Sequence, residues 1–253
     1  MIGEGELEIY DLHTHTTFSD GEASVEYLID RAHEKGYGIG ISDHIFCCGN
    51  DTVEKIEQYA DYVRNTEALV GMEANIGEDF SLPGRVNDKI DYVIASTHSI
   101  EEEENKYYFS SYFGMRGGFH EVYKPDFDVS KSKIYLEHLL KTIETCFRTQ
   151  RVDIIGHCVV TPMYDYLKGD PYLEEWNREL IFLCKKYKVA VELCGLWKEP
   201  SEAFVTAAMK EGVQFTFGCD CHTREQACEL TYPLDLVQRL GVTQEMLFIP
   251  KKR

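Results

Sequence analysis

Residues 7–15 read Leu7-Glu8-Ile9-Tyr10-Asp11-Leu12-His13-Thr14-His15. The stretch Leu7–His13 is a short run of strand-forming side chains that ends in an imidazole, and a second imidazole follows two residues later. On an extended chain, side chains two apart point to the same face. The pattern recurs along the chain in Ile39–His44, Leu69–Glu73, Tyr92–His98, Val152–His157, Val189–Leu193 and Val213–Asp220. Amphipathic stretches lie between these runs. Val25, Leu28, Ile29 and Ala32 fall at helical spacing, with Ser24 as a candidate N-cap and Gly36 at the end. Leu136, Leu139, Leu140 and Ile143 predict a helix in 132–150, and Leu180, Leu183, Cys184 and Tyr187 another in 173–186. Strands that alternate with helices in this way predict parallel βα units, about seven of them, in an α/β fold.

The composition fits a chain that buries a full core. It has 253 residues, 43% of them hydrophobic, which argues against disorder. No Pro/Gly/Ser-rich linker divides it, so a single domain over 1–253 is expected. The net charge of −18 disfavours a nucleic-acid backbone or an anionic membrane surface as the main partner. No apolar run approaches the ~20 residues of a membrane span. Residues 1–10 carry no basic-then-apolar leader, and the nine cysteines are odd in number. Together these features predict a cytoplasmic protein with reduced thiols.

The histidines carry the chemistry. Six of nine, His13, His15, His44, His98, His157 and His222, sit at or just after predicted strand ends, and Asp11, Asp20, Asp43, Glu73, Glu192 and Asp220 join them. In an α/β barrel the C-terminal strand ends meet at one mouth. Imidazole and carboxylate together suit zinc, manganese or iron, and the set is too large for one ion. Glu73, the acidic residue that ends the apolar run Leu69–Met72, is the natural bridging carboxylate. His33, His120 and His138 lie on helices or in a loop and are read as structural or solvated. Cys219 and Cys221 flank Asp220 and should pack behind the site. The segment 99–130 is too long for an ordinary βα loop. Its tyrosines and phenylalanines, with Arg116 among Gly114, Gly117 and Gly118, make it a candidate lid and Arg116 a candidate phosphate clamp.

The motifs Asp11-Leu12-His13-Thr14-His15, Ser19-Asp20-Gly21, Ser42-Asp43-His44, Gly71-Met72-Glu73, Ser96-Thr97-His98, Gly156-His157 and Gly218-Cys219-Asp220-Cys221-His222 resemble, in order, those of the PHP (polymerase and histidinol phosphatase) family. The Val-Glu-Leu-Cys-Gly segment at 191–195 is more similar to the histidinol-phosphatase branch. The resemblance implies a distorted seven-stranded (β/α) TIM-like barrel with three divalent transition-metal ions. It implies that the first ion takes His13, His15, Glu73 and Asp220. The second would share Glu73 and add His98 and His157, and the third would take Asp20, His44 and His222.

The expected activity is hydrolysis of a small phosphate monoester. A hydroxide bridging two ions would attack phosphorus in line, with Asp220 or a nearby histidine such as His222 handling the leaving-group proton. Three divalent cations would reverse the local field and attract a phosphorylated metabolite despite the acidic surface. Two alternatives stay open: a phosphodiesterase or nuclease acting on small nucleotides, and a non-catalytic PHP regulatory domain.

Overall fold

A computed structural model describes residues 7–102, 105–109 and 128–253. In chain order the strands are β1 (Tyr10–Asp11), β2 (Gly38–Ile41), β3 (Leu69–Asn75), β4 (Tyr92–Ser96), β5 (Ser99–Glu102), β6 (Asn105–Tyr108), β7 (Ile154–Gly156), β8 (Ala190–Cys194) and β9 (Phe215–Gly218). Seven of them close into a barrel in the order β1-β2-β3-β4-β7-β8-β9. All neighbours are parallel, and β1 closes the ring against β9 with Asp11 opposite Phe217. This is the expected seven-stranded (β/α) barrel. Helices cover its outside, so the strands are buried on both faces and read as continuous apolar runs. Strand β4 shows how the alternation is used. Tyr92 and Ile94 point into the barrel with Leu12, Leu69, Ile154 and Ala190, while Val93 and Ala95 pack outward under the helices. Each fully buried Leu or Ile contributes about 1.5–3 kcal/mol.

The helices form where periodicity and caps agree. Helix Val25–Lys35 starts at Ser24, whose hydroxyl accepts from the Tyr27 N–H, and ends at Gly36, which is left-handed at φ 74°. Its buried residues are the four that the spacing singles out. Helices Ser132–Thr149 and Tyr172–Tyr187 match the predicted stretches within a residue or so. Helices Val53–Arg64, Glu202–Glu211 and Thr231–Leu240 complete the main outer layer. Among the described residues no helix is long and apolar enough to cross a membrane.

The barrel's N-terminal end is filled. Tyr92 lies across it with its hydroxyl donating to the Leu12 carbonyl at 2.5 Å. Gly71 is glycine because a Cβ there would overlap the Tyr92 ring. The chain's last segment returns beneath, where the Phe248 N–H donates to the Phe215 carbonyl at 2.7 Å and the Phe248 ring packs against the interior cluster.

The predicted strands differ from the observed ones at their ends. β3 and β8 run one or two residues past the predicted ends. The other five are predicted to run on to His13, His44, His98, His157 and Asp220, whereas the ladders stop earlier, at Asp11, Ile41, Ser96, Gly156 and Gly218. The backbone leaves regular pairing there because the next side chains must turn into the mouth. Two of them do so in the left-handed region, His157 at φ 26° and Asp220 at φ 53°. The predicted long loop also begins as structure. β5 and β6 form an antiparallel hairpin, after which the Phe109 N–H donates to the His98 carbonyl at 2.8 Å.

Candidate metal centre

The mouth is assembled by short links that continue past the strand ends. The Leu12 N–H donates to the Phe217 carbonyl at 2.9 Å, the Asp220 N–H to His13 at 2.7 Å, and the His15 N–H to Cys221 at 3.2 Å. Residues 12–15 and 219–221 are thereby zipped side by side. His15 Nε2 comes to 3.2 Å from Asp220 Oδ1 and His13 Nε2 to 3.6 Å. On the neighbouring side a lone bridge pairs His44 with Glu73.

Glu73 sits at the centre. It is 1% exposed. Its Oε1 lies 3.3 Å from His13 Nε2, 3.4 Å from His98 Nε2 and 3.3 Å from His157 Nε2. Its Oε2 lies 2.9 Å from His44 Nδ1 and 3.5 Å from His15 Nε2. Five imidazoles therefore surround one carboxylate, divided between its two oxygens. Asp20 forms a second, outer focus: His15 Nδ1 at 3.8 Å, His44 Nε2 at 3.8 Å and His222 Nε2 at 3.7 Å. All nine expected ligands thus lie in one cluster. The grouping differs in detail from the expected one. His15 faces both foci, one ring nitrogen to each, and His44 does the same. Three sets have donor atoms within 4.8 Å of one another: His13, His15 and Glu73; His44, Glu73 and His98; and His15, Asp20, His44 and His222.

The chemistry of the set fits divalent metal. His13 Nε2, His15 Nδ1 and His157 Nδ1 are buried without a hydrogen-bond partner among the described residues, and His44 Nδ1 and Glu73 Oε2, 2.9 Å apart, meet only as an ion pair outside hydrogen-bond geometry. Each such atom costs about 1–3 kcal/mol if left unmet, and cations between the two foci would engage those that face inward. Charge states agree. Burial alone would push the Glu73 carboxyl up, but His44, His13 and His98 hold it well below the usual range. Asp220 is likewise held low against its burial by His13, His15 and His222. Burial, with His222 and His44 alongside, lowers His15 to about 3 and leaves it a neutral ligand. His44 is opposed by burial yet raised to about 10 by Glu73 and Asp20, so a cation binding there displaces a proton.

A surrounding layer orients the rings. Glu192 is fully buried and places Oε1 2.6 Å from His13 Nδ1, while its Oε2 accepts from the His157 backbone N–H at 2.5 Å. One carboxylate thus fixes two of the expected ligands and turns His13 Nε2 inward. Gly218 makes room for it, since a Cβ there would overlap both Glu192 and His13. Asn75 Oδ1 lies 2.6 Å from His98 Nδ1 and the Asp220 carbonyl 3.1 Å from His222 Nδ1, with the same effect. Asp43 accepts from the Thr16 N–H, the Thr16 hydroxyl and the Ser19 hydroxyl, which anchors the loop that carries Asp20. The Trp197 indole N–H donates to Asp220 Oδ2 at 2.7 Å.

Sequence reading finds Glu192 and Asp43 at strand ends without giving them a role, and passes over Asn75 and Trp197. The signal for Glu192 is the one that marks Glu73, an acid inside an apolar strand. For Trp197 there is none, because its partner is 23 positions away on another loop. Cys219 and Cys221 are buried and packed in the outer core, as expected. All nine cysteines are free. His33 is exposed beside Glu67, and His138 is exposed. Of the candidate lid, Ile100 and Phe109 are buried and Tyr108 is exposed. Arg116, with Tyr112, Phe113, Gly114, Gly117, Gly118 and His120, lies outside the described residues. A cavity of about 710 Å³ opens between the hairpin and helix Ser132–Thr149, and it is lined by none of the nine expected ligands.

Comparison with known proteins bears on the family and the fold. Residues 11–195 match the PHP domain. The chain is 26% identical over 234 residues to the DNA polymerase/3'-5' exonuclease PolX of Bacillus subtilis (strain 168), an alignment covering 85% of this chain and 34% of that protein. It therefore spans about a third of that relative's length. Its fold is similar to that of the histidinol phosphate phosphatase of Lactococcus lactis subsp. lactis Il1403, solved with zinc, L-histidinol and phosphate. The TM-score is 0.61 at 15% identity, covering 98% of this chain and 100% of that one. A putative histidinol phosphatase from Listeria monocytogenes aligns with a TM-score of 0.60 at 16% identity, covering 89% and 99%. With the match running from the Asp11 motif to the end of β8, this chain belongs to the PHP domain family.

Proposed function

We propose that the protein is a metal-dependent hydrolase of a small phosphate monoester. The observation that carries this reading is Glu73, one buried carboxylate whose two oxygens face five imidazoles. His13, His15, Glu73 and Asp220 would hold one ion, Glu73, His98 and His157 a second, and Asp20, His44 and His222 a third, with His15 Nδ1 turned towards the last. When bound, zinc, manganese or iron supplies Lewis-acid polarisation of a phosphoryl oxygen and lowers the pKa of water towards ~7.

The chain's own residues do the rest. Glu73 joins two ligand sets into one unit. Glu192 keeps the proton of His13 on Nδ1, so that Nε2 offers its lone pair. The filled barrel floor holds the phosphate at the mouth. His222 and Asp20, both part-exposed at the outer edge, are the groups nearest to solvent and to an incoming leaving group. Of the two candidates for the leaving-group proton, His222 at the part-exposed edge fits better, because His13, His15 and His222 hold Asp220 as an ionised carboxylate. The Lactococcus protein's phosphate and L-histidinol support a small phosphorylated substrate. The net charge of −18 disfavours long nucleic acid.

The PolX relative favours a second reading, a phosphodiesterase acting on small nucleotides. Parallel assays with p-nitrophenyl phosphate and bis(p-nitrophenyl) phosphate on metal-loaded protein separate the two. The monoester should be cleaved at least about tenfold faster in kcat/KM, a difference of ~1.4 kcal/mol in barrier. Faster cleavage of the diester would replace the first reading by the second. No cleavage of either under zinc, manganese or iron would remove both.

A further inference from the structure

We propose that Trp197 is a positioning residue of the metal centre, holding Asp220 so that one carboxylate oxygen faces the ions. This rests on the metal-centre reading above and adds to it a side chain from outside the ligand motifs. The two oxygens of Asp220 are used differently. Oδ1 faces His15 Nε2 and His13 Nε2 at 3.2 and 3.6 Å, whereas Oδ2 accepts the indole N–H at 2.7 Å. A carboxylate free to rotate can present either oxygen or chelate with both. The indole removes that freedom. Asp220 sits at φ 53°, in the left-handed region, a conformation that persists where its surroundings hold it: its N–H is fixed on the His13 carbonyl at 2.7 Å, and the indole fixes the side chain.

The indole is itself firmly mounted. It belongs to the turn that follows β8, and the Gly195 N–H donates to Gly218 at 2.7 Å and the Leu196 N–H to Cys219 at 3.2 Å, so the turn is tied to the end of β9. Cys194 and Lys198 close it from within through bonds to Glu199 and Cys194. The Trp197 ring also stands edge-on to His157, with centroids 6.3 Å apart. It thus touches two expected ligands from different strands. Orienting groups of this kind, when removed, weaken metal affinity by about 10- to 100-fold.

The test is zinc affinity of the metal-stripped full chain, read by competition with a chromophoric chelator, for wild type and Trp197→Phe. The variant keeps a ring and loses the N–H. Weakening of about 10- to 100-fold, with the melting temperature of the metal-free protein unchanged, is the expected result. The loss should vanish when Asp220→Asn is already present, because the effect passes through Asp220. Equal affinity, an additive loss in the double variant, or a loss matched by a lower metal-free melting temperature would overturn the proposal.

A second measurement needs no variant. Trp197 is one of two tryptophans, and the other, Trp176, is buried with its N–H on the Leu136 carbonyl. Zinc added to stripped wild type should change the tryptophan emission, and an unchanged emission on a zinc-loaded protein counts against the role. A wild type that binds no zinc removes the metal centre itself. A wild type that binds it as well as Trp197→Phe does removes the role of Trp197 alone.

Discussion

The two ends of this barrel solve opposite problems with the same seven strands. At the floor, Leu12, Leu69, Tyr92, Ile94, Ile154 and Ala190 fill the interior, and the polar atom of Tyr92 finds a carbonyl. At the mouth, one to four residues further along the chain from these, the interior holds imidazoles and carboxylates, several with atoms unmet by the protein. The floor is complete as the chain folds it. The mouth is arranged for something the chain does not itself supply. Stability and chemistry are therefore separated along the barrel axis, and perturbations at the two ends should have different signatures.

The sharpest way to break this contrast is Glu73→Gln. The amide keeps the shape but not the charge that joins two ligand sets. The change should lower kcat/KM by at least about 10³-fold, ~4 kcal/mol, with loss of bound metal, and by more than His44→Asn does. Steady-state kinetics with elemental analysis of both variants check it, and near-wild-type activity in Glu73→Gln refutes the bridge. Removing the ions from wild type is next in size. With ligand at about 1,000 times its Kd the linkage contribution is about 4 kcal/mol, which for a chain of this length corresponds to roughly 8–16 °C in Tm. Calorimetry before and after chelation measures it, and the stripped protein should still unfold cooperatively because the floor is intact. The smallest effect is expected from Tyr92→Phe. It deletes the hydrogen bond to Leu12 and should cost about 1 kcal/mol, or roughly 2–4 °C, without changing metal content. A loss of metal there would mean that the two ends are coupled after all.

Much of the mouth is legible in the sequence because its residues recur at strand ends. His13 and His15 declare a shared face by their spacing, and an acid in an apolar strand marks Glu73. The barrel follows from the alternation of runs such as Leu69–Met72 with helices such as Val25–Lys35. What depends on contacts across the barrel is not legible. Glu192 acquires its role only when β8 comes beside His13, 179 positions earlier, and when Gly218 leaves space for it. Trp197 depends on a turn whose partner strand is β9. Five strand ends are overextended because periodicity does not register a backbone that leaves the ladder, as at His157 and Asp220, to aim a side chain.

The packed floor also dictates traffic. A barrel stoppered by Tyr92 and Phe248 has one door among the described residues, so whatever enters must leave the way it came. Two products of one cleavage then queue. The piece nearer the door departs first, and the piece held deepest departs last and competes with the next arrival. For the reaction proposed here the alcohol goes out ahead of inorganic phosphate. A side chain at the bottom of the barrel, far from any reacting atom, thereby sets the order in which the mouth is vacated.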